Sequence, residues 1–234
     1  MKQKKLLKKL AFSEQDFEDI KNAVTEQEKN TCGEIALAIA PDSSSYAFWE
    51  LLTALFAALI VIGCLIPFSN HISSFIDLIS WPERIWVLPT FYVLTGVAAA
   101  AIVYLLYNIS AVKRGLIPLI ARRTAVNNRA MRYFLQSGVY KTSGQTGILI
   151  FVSYLEREIR ILADSGINAK VSQDLWNIVA DEMTDSLAKG KAKEALIGAI
   201  NRCGELLTQN FPLDSKAKNE LPDGLVILEN EPWI

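Results

Sequence analysis

Gly147–Ala163 reads GILIFVSYLEREIRILA, and this stretch decides the fold. Gly147–Ser153 is a continuous apolar run of strand length, and Glu158–Ala163 alternates apolar and polar residues as a half-buried strand does. The turn between them is so short that the two strands must be antiparallel neighbours. Upstream, Glu34–Ala40 (EIALAIA) sets Ile35, Leu37 and Ile39 against three alanines. It reads as a buried strand whose alanine face lets another element approach closely. The same sheet should hold all three strands.

Helical periodicity flanks these strands. Ser13 opens a helix with Asp16 three positions on, a capping-box pattern, and Phe17, Ile20, Ala23 and Val24 line one face. Pro118 suits the first turn of a helix running to about Gln136, with Leu119, Val126, Ala130 and Phe134 as its core stripe. Val171, Leu175, Ile178, Val179, Met183 and Leu187 recur at helical spacing. So do Ala192, Ala195, Leu196, Ala199, Ile200, Cys203, Leu206 and Leu207. The expected fold class is α/β: a small mixed β-sheet covered by helices, in the order α-β-(hairpin)-α-β-β-α-α.

Two apolar segments interrupt this domain after its first strand. Ala47–Ile66 holds a single ionisable residue, Glu50, near its start, and Ile85–Tyr107 holds none. At 1.5 Å per residue each reaches about 30 Å, the thickness of a bilayer hydrocarbon core. Trp49, Trp81, Trp86, Tyr92, Tyr104 and Tyr107 lie toward the ends, where aromatic side chains favour the membrane interface. The segments read as a transmembrane hairpin in contact with a lipid bilayer. Gly96 and Ala100 give it a face of small residues that packs the hairpin internally or pairs protomers.

The organisation expected is a basic N-terminal segment 1–12, a first domain part 13–45, the hairpin 46–108, a second domain part 109–211 and a tail 212–234. Lys113, Arg114, Arg122 and Arg123 follow the second span, whereas the connection Pro67–Arg84 carries one positive residue. Lysine and arginine are retained inside, which predicts a multi-pass protein of the inner (cytoplasmic) membrane with both termini cytoplasmic. The start, MKQKKLLKKL, is followed by no apolar signal-peptide core. Its Leu6, Leu7 and Leu10 among five lysines read either as a segment lying on an anionic leaflet or as a free basic tail.

Chemistry is sparse. A net charge of −1 in 234 residues argues against a nucleic-acid partner held by bulk positive charge. Three cysteines, Cys32, Cys64 and Cys203, form no CxxC spacing and read as small apolar side chains. The one histidine, His71, falls in the short connection between the spans, and no GxSxG, P-loop, HExxH or GxGxxG occurs. Ser153, Ser165 and Cys32 have no visible base partner. Glu156, Arg157, Glu158 and Arg160 read as a solvated turn and the exposed face of a strand.

The run TGILIFVSYLEREIRILADSGINAKV, the following Trp176 and the helix ending GAINRCGELL resemble the TPM domain family. The likeness extends to RRTAVNNRAMRYF and to the tail FPLDSKAKNELPDGL. Members include thylakoid-lumen proteins of photosystem II repair and many bacterial membrane proteins. The resemblance implies a TPM-like α/β/α fold, an association with acid phosphatase activity, and a calcium or magnesium ion (Ca2+ or Mg2+) at one end of the sheet. Asp164 is the matching position. Asp42 and Asp174 would join it if the loops converge, and Glu34 if its strand runs suitably; otherwise Asp164 only orders its turn. Most relatives hold this domain outside the membrane after a signal peptide, an arrangement from which this sequence departs.

Three functions follow as expectations. One is a membrane-anchored interaction, assembly or maintenance module for another membrane protein or complex. The second is a divalent-metal-dependent phosphatase centred on Asp164. The third is a structural homo-oligomer built through the hairpins.

Overall fold

The computed structural model describes residues 6, 7, 10, 12–79, 85–142, 144–213 and 219–229. The five N-terminal lysines, Trp81 and Arg84 lie outside the described residues. Residues 1–44 and 119–234 form one compact unit and residues 45–118 another.

The first unit contains α1 (Glu14–Glu28), β1 (Glu34–Ala40), α6 (Leu119–Gln136), β2 (Gly147–Ser153), β3 (Glu158–Ala163), the single-turn α7 (Ser165–Asn168), α8 (Gln173–Ala188), α9 (Ala192–Asn210) and β4 (Leu225–Ile227). The second contains α2 (Ala47–Leu65), a 3-10 turn (Ile66–Phe68), α3 (Ser69–Ile79), α4 (Val87–Leu106) and α5 (Ser110–Leu116). The fold is the expected mixed α/β one, and β1, β2 and β3 have the bounds read from the sequence.

The sheet order is β3-β2-β1-β4. β1 lies parallel to β2, with Glu34 opposite Gly147 and Ala40 opposite Ser153. β2 and β3 are antiparallel, as their short turn requires, with Ser153 opposite Glu158. The strand β4 pairs in parallel with the other edge of β1. Its three residues are too few to carry a periodic signal.

Side-chain alternation divides the core in two. Ile35, Leu37, Ile39, Ile148, Ile150 and Val152 point to one face and meet α1, α8 and α9 through Val24, Trp176, Val179, Met183, Ile200 and Leu207. On the other face Ala38, Ala40, Leu149 and Phe151 meet Val126, Ala130 and Phe134 of α6. The alanine face of β1 thus admits a closely packed helix, as expected. Ser13 caps α1 in a full capping box with Asp16, a device that stabilises a helix start by about 1 kcal/mol.

Three apolar assignments change. Leu119 is 48% exposed and does not belong to the α6 core stripe. On α8, Leu175 and Ile178 are exposed, and Trp176 is the buried anchor with Val179 and Met183. Helical spacing fixes which residues share a face but not which of two adjoining stripes turns inward. At the N-terminus, Leu6 is buried in the core and Leu10 packs against it. These leucines therefore belong to the domain, in contrast to both readings offered by the sequence.

In the second unit, α2 and α4 pack against each other. A Cβ at Gly96 would lie 2.8 Å from Ile62 Cδ1, so this glycine admits the side chains of α2 and packs the hairpin internally. At the base of the pair, Lys113 of α5 binds Glu50 at 2.6 Å and donates to the Ser45 carbonyl at 3.0 Å. Tyr107 Oη accepts from Thr53 Oγ1 at 2.8 Å and donates to the Trp49 carbonyl at 3.2 Å. The connection between the two helices is itself structured, since α3 follows the turn at Pro67. Ser69 Oγ lies 2.8 Å from Tyr92 Oη of α4.

Candidate functional site

The parallel pairing of β1 with β2 gives the sheet two chemically different ends. One holds the starts of β1 and β2 and the finish of β3; the other holds their opposite termini. The sequence-derived carboxylates divide between them.

Asp164 stands at the first end. It caps α7, with Oδ1 accepting from Ser165 N at 2.6 Å and from Ser165 Oγ at 3.2 Å. Its Oδ2 is buried with no hydrogen-bond partner. Gly166 passes so close to the preceding loop that a Cβ there would sit 2.6 Å from the Gln145 carbonyl oxygen and 3.0 Å from that of Gly144. Only a residue without Cβ permits this approach. Ser165 Oγ also lies 3.0 Å from Gln145 Oε1, an alternative acceptor for its single proton. The surroundings of Asp164 are thus rich in neutral oxygens.

Glu34 begins β1 at this same end, two strand spacings across, about 10 Å. It is buried, and both its carboxylate oxygens accept backbone N–H groups, from Glu220 and Leu221, at 3.2 Å each. Burial raises its pKa above the ordinary glutamate value. Its lone pairs serve the C-terminal segment. Asp174 is exposed in the first turn of α8. Asp42 lies beyond the finish of β1, at the opposite end of the sheet from Asp164. A seven-residue strand separates those ends by roughly 20 Å.

Asp164, Asp42, Asp174 and Glu34 are therefore not brought together into one ligand set. Among the described residues no three His, Cys, Asp or Glu side chains are grouped to hold a metal ion. Calcium takes about six to eight oxygen ligands, and a four-carboxylate centre does not fit this arrangement. What does fit is narrower: one carboxylate with an orphaned oxygen, beside serine, glutamine and carbonyl oxygens.

The second end carries a network that the sequence concealed. Glu156, read there as part of a solvated turn, is 3% exposed. It accepts from Ser153 Oγ at 2.6 Å and from Ser43 N at 2.9 Å, and the Ser43 and Ser153 hydroxyls lie 2.6 Å apart. The bonds tie the exit of β1 to the β2–β3 turn, where Arg157 takes φ 53°. No local pattern reveals the tie to β1, because Ser43 lies 113 residues from Glu156.

The remaining nucleophile candidates are engaged structurally. Ser153 is fully buried, Ser165 belongs to the α7 cap, and Cys32 Sγ donates to the Pro212 carbonyl at 3.1 Å. Burial pushes the Cys203 thiol up to about 12, so it stays protonated and inert.

Exchange of Asp164 separates capping from ion binding. Asp164→Asn keeps an oxygen for the cap and should leave the melting temperature nearly unchanged, whereas Asp164→Ala should cost about 1 kcal/mol. If the orphaned Oδ2 holds an ion, millimolar calcium or magnesium raises the wild-type melting temperature and not that of Asp164→Asn. Thermal unfolding with and without each ion measures both effects.

Residues 113–206 match the family model of the TPM domain. The fold is similar to the NMR structure of protein BA42 from the psychrophilic bacterium Bizionia argentinensis, with a TM-score of 0.55 and 19% identity. That similarity covers 92% of this chain and 94% of the other. No curated protein matches the sequence.

Proposed function

We propose, from the premise that this chain carries a TPM domain, that it is a membrane-anchored binding module for another membrane protein or complex. The outer face of α6 carries the reading. This helix covers its side of the sheet alone among the described helices, burying Val126, Ala130 and Phe134. Its opposite face leaves Ile120, Met131 and Leu135 at 81%, 44% and 52% exposure. Exposed apolar side chains aligned along one helix are what a partner surface would cover. The carboxylates, in contrast, are dispersed or occupied in holding backbone.

The anchor is the hairpin. Two helical stretches, Ala47–Ile76 and Val87–Leu106, are long and apolar enough to cross a bilayer, and only 6% of an 18-residue apolar window in each is buried. A helix from a soluble core would be covered by protein. Here Phe48, Leu51, Leu55, Val93, Leu94 and Leu105 face outward, where hydrocarbon would accept them. With Lys113, Arg114, Arg122 and Arg123 following the second helix, both termini belong in the cytoplasm.

Two measurements test this. In intact cells, an impermeant thiol reagent should label Ser73→Cys and spare Lys141→Cys, both placed in a cysteine-free background. Labelling of position 141 alone would reverse the topology. In mild detergent the native chain should retain a membrane partner that is lost on Met131→Asp with Leu135→Asp, with folding intact. A wild-type chain recovered only as symmetric particles of itself would favour the homo-oligomer.

A metal-dependent phosphatase is the second reading, favoured by the orphaned Asp164 Oδ2 alone. Turnover of a phosphate ester that needs a divalent ion and vanishes in Asp164→Asn would support it.

A further inference from the structure

We propose that residues 219–229 form a proton-gated strap over the edge of the sheet, closed by a proton held between Glu28 of α1 and Asp223 of the strap. The strap is bound along its length. Glu34 receives the N–H groups of Glu220 and Leu221. Asp223 accepts from Thr25 Oγ1 at 2.7 Å and from Asn219 Nδ2 at 2.6 Å. Beyond it, β4 pairs with Leu37–Ile39, Leu228 N donates to the Ile39 carbonyl at 2.9 Å, and Arg129 donates to the Glu229 carbonyl at 2.6 Å.

The weak point in this closure is the meeting of Glu28 with Asp223. Glu28 Oε1 accepts from Ile35 N at 2.7 Å, but its Oε2 is buried with no donor. Thr25, one turn before Glu28 on α1, donates to Asp223 Oδ2 at 2.7 Å, which holds a second carboxylate beside this end of the helix, and two carboxylates join only when one carries a proton. Among the described residues, the charged groups that act on Glu28 are Glu34 from β1 and Asp223 from the strap. Glu220 and Asp223 press on Glu34 in the same sense. The helix α9, which packs on α1, meets this turn through the neutral pair Gln27–Asn201. Burial first, and these neighbours after it, raise Glu28 to about 8.

The sign follows from where the proton is held. The closed strap binds it more tightly than an open one, in which Glu28 loses the Asp223 charge and regains water. Closure is therefore fully supported below the ordinary glutamate range and weakens as pH rises toward about 8. Opening would leave β1 as an edge strand with an unpaired row of backbone groups.

Hydrogen exchange of the full chain in detergent micelles, read as protection factors corrected for intrinsic rates, tests the gate. Between pH 5 and 8, strap amides at Glu220, Leu221 and Leu228 should lose protection by up to about tenfold per pH unit for one proton released. Amides of β2 should stay constant. In Glu28→Gln the side-chain oxygen still accepts from Ile35 and the amide can donate to Asp223, so strap protection should lose the Glu28 share of its pH dependence and keep only the shallower part set by Glu34, whose pKa burial also raises. Should that variant lose protection throughout β2, Asp223→Asn tests the same pairing from the strap side. Strap protection that is flat in the wild type, or a pH dependence as steep in the folded variant as in the wild type, overturns the proposal.

Discussion

Replacing residues 46–117 with a short Gly/Ser linker should give a water-soluble domain that unfolds cooperatively. The argument is geometric. Ser43 Oγ lies 2.6 Å from Ser153 Oγ at the finish of β2, and Ser153 is paired with Glu158 of β3. Arg123 Nε, one turn into α6, lies 3.8 Å from Glu158 Oε1. The chain thus leaves the domain and re-enters it at the same end of the sheet. Closing a loop adds only about 0.6 kcal/mol for each doubling of its length, so a short flexible connection suffices. Both cores are built from residues outside the deleted segment. The measurements are sedimentation and thermal unfolding. An insoluble product, or one without a cooperative transition, would make the hairpin part of the fold itself.

Gly147→Ala should be the most damaging single-methyl change in the domain. A Cβ at this position would lie 2.2 Å from the Val139 carbonyl oxygen and 2.8 Å from Val139 Cγ1. The obstacle is backbone, so no rotamer change relieves it. Gly147 opens the central strand β2, and its own carbonyl accepts Asp164 N at 2.9 Å. Any shift therefore reaches both β1 and the Asp164 turn. Overpacking of this kind costs about 3 kcal/mol, or a fall of roughly 10 °C in melting temperature for a domain of this size. Gly198→Ala is the control. A Cβ there meets nothing within 4 Å, and in the interior of α9 the change should stabilise by about 0.5–1 kcal/mol. Equal melting temperatures for the two variants would show that the approach of Val139 to β2 is not rigid.

Local signals in the sequence determined the elements themselves. Period-two alternation and an apolar run delimited β1, β2 and β3, the short turn dictated antiparallel β2–β3 pairing, and the alanines of β1 foretold close helix packing. Two long apolar runs marked the paired helices α2 and α4, because an apolar segment of that length is recognisable without its partners. Tertiary structure decided everything that depends on which distant residues meet. It turned Trp176 inward in place of Leu175 and Ile178, and it buried Leu6 and Leu10. It also set Asp42 and Asp164 at opposite ends of the sheet. Glu156 became a buried anchor because the chain leaving β1 folds back over the β2–β3 turn. Glu28, Glu34 and Asp223 came together because β4 takes the far edge of β1. A carboxylate has the same letter whether it caps a turn, clamps a strap or meets solvent. Burial and the donors around it set its role, and those are fixed only when the sheet closes.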